Sequence, residues 1–166
     1  MLKDLADATD WASLLTEPMA VLGPYGKRPP PLSSFAPHSL RQDFNLLALA
    51  GQFQDLPEQP PSTWVLDGVA KAYAVFEFHE VKDCSIIGAP QAAQTDDSMH
   101  GKPAGERGTP KLEVTDQVFL ALPNKKLYWK SFTFQSRFLT INLLCSSVSL
   151  YVGRQAWRQY GWPQHA

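Results

Sequence analysis

Residues 55–88, DLPEQPPSTWVLDGVAKAYAVFEFHEVKDCSIIG, run a proline-rich polar corner straight into a long aromatic stretch with two distinct faces. Proline lacks the N–H that a helix interior or a sheet ladder needs, so residues 56–61 must be a corner. From Trp64 to Val81 the side chains alternate. Ala72, Ala74, Phe76 and Phe78 fall on one face, and Lys71, Tyr73, Val75, Glu77 and His79 on the other. That period of two specifies a strand. The first face is core. The second is amphipathic and is expected to face partial solvent or a partner. A bend at Lys82–Asp83 and a short buried strand from Cys84 to Ile87 follow.

The remainder of the chain extends this pattern. Leu5, Ala8, Trp11, Ala12 and Leu15 recur at helical spacing, which predicts a short amphipathic helix over residues 4–15, capped by Asp4 or Asp7 and ended by Thr16–Glu17–Pro18. The segment GPYGKRPPP, residues 23–31, is an extended crossing segment buried in the domain, with a polyproline-type ligand as the functional alternative. Residues 40–53 mix two periods, so strand and helix both fit, and strand is favoured because Gly51 and the following prolines close the run quickly. Residues 91–110 hold almost no large apolar side chain and predict a mobile loop. Sheet character resumes at residues 111–122. A turn is expected at residues 123–126, then strands at residues 127–134, 138–145 and 148–153. The aromatic but polar tail reads as a short helical turn on the surface.

This order is one early helix and then a run of strands with short links. With no βαβ alternation, an antiparallel sheet folded over itself is the natural solution. The expected fold class is therefore α+β, predominantly antiparallel β-sheet, a curved sheet or a sandwich, with one short N-terminal helix. The 166 residues suit a single domain, large enough to fold without disulfide or metal. Charged residues make up only 19% and prolines number 14, which argues against a helical bundle.

Charge is unevenly spread. Residues 1–110 hold 8 Lys/Arg against 14 Asp/Glu, whereas residues 111–166 hold 7 against 2. A basic face is what nucleic-acid binding requires. Strands with basic residues on their wet sides, paired with acidic neighbours, account for the same pattern, and no nucleic-acid partner is expected. The acidic N-terminus does not fit a signal peptide, and no uninterrupted apolar run of about 18 residues occurs. A cytoplasmic location is expected, with Cys84 and Cys145 reduced. The spacing alone leaves a disulfide between them open.

No phosphate loop, nucleophile elbow or zinc-protease motif occurs. The four histidines, His38, His79, His100 and His165, are scattered. Glu77 and His79, two apart on one strand face, have metal-compatible geometry, but a third ligand would have to come from a neighbouring strand, and a solvated pair is the ordinary reading. Cys84 near His79 suggests a thiol nucleophile. Five strand residues separate the two by roughly 16 Å and put them on opposite faces. Trp11, Trp64, Trp129, Trp157 and Trp162 would suit a stacking surface for sugars or bases, although packing is the commoner use of such residues. No cofactor is expected.

One resemblance goes beyond composition. The order of Pro29-Pro30-Pro31-Leu32, Pro60-Pro61 with Trp64, Phe78 with Val81, and the strands between Leu139 and Val152 resembles the small bacterial immunity proteins of polymorphic toxin systems, in particular the family numbered fifty. The resemblance covers most of the chain, although the 91–110 loop and the aromatic tail have no counterpart. It implies a non-enzymatic cytosolic inhibitor that binds a cognate toxin domain. The contact residues proposed on this basis are Lys71, Tyr73, Glu77, His79, Asp96 and Asp97. The acidic excess of residues 1–110 would suit a basic toxin such as a nuclease. Two other classes compete with this reading. One is a β-sheet ligand-binding domain or enzyme with a pocket near Trp64, Glu77 and His79. The other is a structural subunit of an assembly.

Overall fold

The computed structural model describes residues 11–26, 28–66, 68–89, 108–122, 125–153 and 156. Among the described residues ten strands form in antiparallel pairs: β1 Phe35–Asp43, β2 Leu46–Phe53, β3 Val65–Leu66, β4 Val69–Ala70, β5 Ala72–His79, β6 Lys82–Gly88, β7 Thr109–Leu122, β8 Lys125–Gln135, β9 Leu139–Cys145 and β10 Ser147–Val152. One four-stranded sheet runs β1-β2-β5-β10 and a second runs β6-β9-β8-β7, while β3 and β4 make a small separate pair.

The two sheets share two chain stretches. β5 passes into β6 through Glu80 and Val81, and β9 passes into β10 through Ser146 alone. The Ser146 N–H donates to the His79 carbonyl at 3.0 Å, so hydrogen bonding continues through the corner. Glu80 and Asp83 sit at φ 51° and 52°, and the β6–β9 register shifts between Lys82 and Ser85. This bulge supplies the bend expected at Lys82–Asp83 and turns the strands onto the second sheet.

The core lies between the sheets. Phe76 and Phe78 of β5 meet Phe132 of β8, and Phe35 and Phe53 extend the aromatic cluster across β1 and β2. The face Ala72, Ala74, Phe76, Phe78 is fully buried, as its alternation requires. At the proline corner the Trp64 ring is a buried plug. It packs on Tyr25 with ring centres 5.7 Å apart, and a Cβ added to Gly153 would come within 2.5 Å of it. The segment expected to cross the domain buried is so only in part: Pro29 and Pro30 are buried, the Pro30 carbonyl accepting the Trp11 indole N–H at 2.9 Å, whereas residues 23–26 form turns and Gly23, Gly26, Arg28 and Pro31 are exposed.

The helical content differs from expectation. Residues 4–10 of the predicted N-terminal helix lie outside the described residues. Trp11–Leu14 is a 3-10 turn, and Leu15 bridges to Val148 at the open edge of β10. The four-residue helix α1, Met19–Leu22, instead starts just after Pro18, the residue read as a terminator. A proline's fixed φ suits the first turn of a helix as well as its end.

Three strand readings also change. Residues 40–53 are not one strand, because β1 and β2 meet at a hairpin tip at Phe44–Asn45. The stretch from Trp64 opens with the β3–β4 pair, in which Val65 meets Ala70 and Leu66 meets Val69, and only then enters β5. The segment from Cys84 to Ile87 belongs to an edge strand that is largely exposed, with Ile87 67% accessible. The strands expected near residues 111–122, 127–134, 138–145 and 148–153 all form, with bounds shifted by a few residues. The region read as a loop ends by Thr109, where β7 begins. Its residues 91–107, and the tail apart from Ala156, lie outside the described residues.

Candidate interaction surface

The second face of β5 is not open for display. Tyr73, Val75 and Glu77 are all buried, and only Lys71 and His79 at the strand's two ends keep partial exposure. Tyr73 and Val75 join Ala48, Ala50 and Ala156 in a second apolar cluster on the outer side of the first sheet. Alternation alone could not reveal this, because a strand covered on both faces and an amphipathic strand differ only in what lies above them. Asp96 and Asp97 lie outside the described residues.

The β5 residues form two separate pairs. The Lys71 ammonium donates to the Tyr73 hydroxyl at 3.3 Å and lies 5.5 Å from that ring's centre. At the other end, His79 Nε2 lies 3.3 Å from a Glu77 carboxylate oxygen. The fully buried Val75 separates them. Trp64 stands at the start of this run, its carbonyl accepting the Lys71 N–H at 2.9 Å. Eight strand residues then carry the chain roughly 25 Å to His79. Trp64 and the Glu77–His79 pair therefore do not line one cavity. Among the described residues no group of three His, Cys, Asp or Glu side chains is placed to hold a metal ion.

The thiols are apart and unpaired with each other. Cys145 is fully buried, and burial pushes its pKa up to about 12 against an opposing pull from Lys130. Burial also raises that of Cys84. Neither is the depressed thiol that nucleophilic chemistry needs. Of the tryptophans, Trp11 and Trp64 are core, and Trp129 is half-buried beneath the Lys82 ammonium, 5.5 Å from the ring centre. Trp157 and Trp162 lie outside the described residues.

The surface that stands out is one the sequence did not flag. β8 pairs with β9 only from Lys130 to Gln135, because β9 ends at Cys145 and the chain turns into β10. From Lys125 to Trp129, β8 has β7 as its ladder partner and no strand on its other side among the described residues. The two strands thus leave the sheet as a projecting ribbon. Alternation along β8 carries Phe132, Lys130 and Tyr128 on one face, opposite Leu112, Val114 and Val118 of β7. Leu112 and Phe132 are core at the base. Farther out Val114, Tyr128 and Val118 are 50%, 45% and 42% exposed. The ribbon therefore prolongs the apolar core face beyond the core. Between Val114 and Val118 the register slips, and Thr115 and Gln117 close a local turn, the hydroxyl accepting the Gln117 N–H at 3.2 Å. Such a bulge breaks the exposed edge of β7 and discourages strand-on-strand addition there.

Among the described residues, no helix is long and apolar enough to cross a membrane. Comparison of the chain with protein-family models, with curated proteins and with solved structures found no match.

Proposed function

We propose that this chain is a non-enzymatic immunity protein that binds and neutralises a cognate secreted toxin domain in the bacterial cytosol. The observation that carries this reading is the β7–β8 ribbon, whose core-continuing face leaves Val114, Val118 and Tyr128 accessible. Val114, Val118 and Tyr128, with Lys130 among them on the same face, form a mainly apolar strip on paired strands, and an exposed tyrosine on such a strip suits protein recognition, where desolvated Tyr, Trp and Arg anchors dominate binding energy. The resemblance to immunity proteins in the proline corner, the Phe78–Val81 strand and the final strands supplies the partner class. We take the ribbon as the contact surface in place of the β5 face, and Lys71 and His79, the partly exposed residues at the two ends of β5, remain secondary candidates.

The direct test is co-expression with the C-terminal domain encoded by the open reading frame immediately upstream. The chain should rescue growth and copurify as a stoichiometric complex. Tyr128→Ala with Val118→Ser should weaken that complex while the melting temperature stays within a few degrees. Full rescue by the double variant would remove the ribbon from the interface, and the absence of any complex with the wild-type chain would remove the immunity reading. Association should also slow as salt rises if the acidic excess steers the encounter.

A further inference from the structure

We infer that Phe44 is an anchor residue for an apolar pocket with a basic rim on a protein partner. Phe44 and Asn45 form the two-residue tip joining β1 to β2, with Asp43 and Leu46 the last paired residues. Phe44 has φ 52°, in the left-handed region. Two-residue hairpin tips call for glycine, asparagine or aspartate there, because a Cβ is strained in that conformation. The ring is 98% exposed, so it returns no packing energy to the fold. A large aromatic that strains the backbone and buries nothing opposes folding on both counts. Residues that break local rules without a folding return mark places where another demand acts.

The tip is rigidly placed. The Val81 N–H donates to the Asn45 carbonyl at 2.9 Å, tying the tip to the corner between β5 and β6. Phe44, Glu80 and Asp83, the non-glycine residues with positive φ among the described residues, all belong to this tip and corner. Asp43 next to Phe44, and Glu80 and Asp83 on the corner to which the tip is tied, are all exposed. The cations of the same two segments, 41–46 and 80–83, are Lys82, whose ammonium lies over the Trp129 ring, and Arg41, two residues back along β1. Three carboxylates against two cations leave the tip and corner acidic by one charge. A partner must therefore offer an apolar cavity for the phenyl group and basic side chains around it. That same acidic charge disfavours a lipid surface, whose anionic headgroups would be repelled. An acidic tip with an aromatic plug matches the substrate cleft of an enzyme that acts on a polyanion. The inference rests on the inhibitory reading and names the feature of the partner that is blocked.

The test is Phe44→Asn, since asparagine tolerates left-handed backbone. Two readouts are taken on the full chain: the melting temperature, and the Kd for the C-terminal domain encoded by the upstream open reading frame. The inference expects a melting temperature equal to or above wild type together with a Kd raised at least 30-fold, the range of an anchor residue. A melting temperature several degrees lower would show that the ring serves the fold and would overturn the inference. Equal Kd values for variant and wild type would overturn it while leaving the inhibitory reading intact. No binding by either would overturn both. Phe44-dependent cosedimentation with phosphatidylglycerol vesicles, or Phe44-dependent self-association of the chain alone, would assign the anchor to a lipid or a second copy and so overturn it as stated.

Discussion

The rings of Phe78 and Phe132 meet across the gap between the two sheets, with centres 4.6 Å apart and planes inclined by 35°. Both side chains are fully buried, one from β5 and one from β8. They are the point at which the folded-over sheet grips itself. Phe78→Ala or Phe132→Ala should each cost roughly 3–5 kcal/mol, the transfer loss plus the residual cavity. A domain of this kind has about 5–15 kcal/mol in hand, so each single variant should remain folded at low temperature. The double variant should cost less than the sum by about 0.5–1.5 kcal/mol, because both singles remove the same ring contact. Urea midpoints of the four proteins check this. Strict additivity would show that the rings act through their separate surroundings.

Gly51 of β2 lies opposite Pro37, just where β1 bulges between Pro37 and Ser39. A Cβ at residue 51 would come within 2.4 Å of the Ala36 carbonyl oxygen and 2.6 Å of the Phe35 ring. The nearest obstacle is backbone and cannot swing away. Gly51→Ala should therefore lower stability by roughly 1–3 kcal/mol, an overpacking penalty. Guanidinium denaturation with an unchanged slope would locate the loss in the folded state. A variant as stable as wild type would mean that β1 can slide outward from β2 at no cost.

Much of the sheet was legible because burial imposes a period of two. Ala72, Ala74, Phe76 and Phe78 announced their face, and the gaps between the strands expected at residues 127–134, 138–145 and 148–153 fell within a residue or two of the real ones. Three features were hidden for physical reasons. At the Phe44–Asn45 tip the positive φ falls on a phenylalanine and not on glycine, asparagine or aspartate, so a hairpin looked like one long strand. The burial of Tyr73 and Glu77 depends on what covers the first sheet, which no pattern within β5 encodes. The ribbon exists because β9 stops before β8 does, and where strands stop relative to one another is a matter of register rather than of composition.

The two thiols should be chemically quiet in the folded protein. Cys145 Sγ lies 3.6 Å from the Lys130 carbonyl oxygen in a buried site, and burial raises the pKa of both cysteines. Since only the thiolate attacks, an aromatic disulfide reagent at pH 8 should modify Cys145 far more slowly than a free thiol, with Cys84 faster but still retarded. Both should react at once in urea, which would also show that they are not bonded to each other. A cysteine more reactive in the native state than in urea would reopen the nucleophile reading of Cys84.

His38 should make stability depend on pH in mildly acidic solution. It lies at the β1 bulge, half-buried, and burial lowers its pKa from 6.5 to about 4 against a smaller opposing backbone hydrogen bond. The unfolded chain therefore binds this proton from about pH 6.5 downward, while the folded chain resists until about pH 4. The contribution is fully present above pH 6.5, is lost progressively as pH falls from there to about 4, and then levels off. The shift corresponds to a loss on the order of 2 kcal/mol for a partly accessible imidazole. His38→Gln removes the titration, so the difference between wild type and variant should change by that amount between pH 7 and pH 4, whatever the carboxylates contribute to both. Urea titrations at several pH values measure it. Parallel curves for the two proteins would mean that His38 takes up its proton in the folded state as readily as in the unfolded chain.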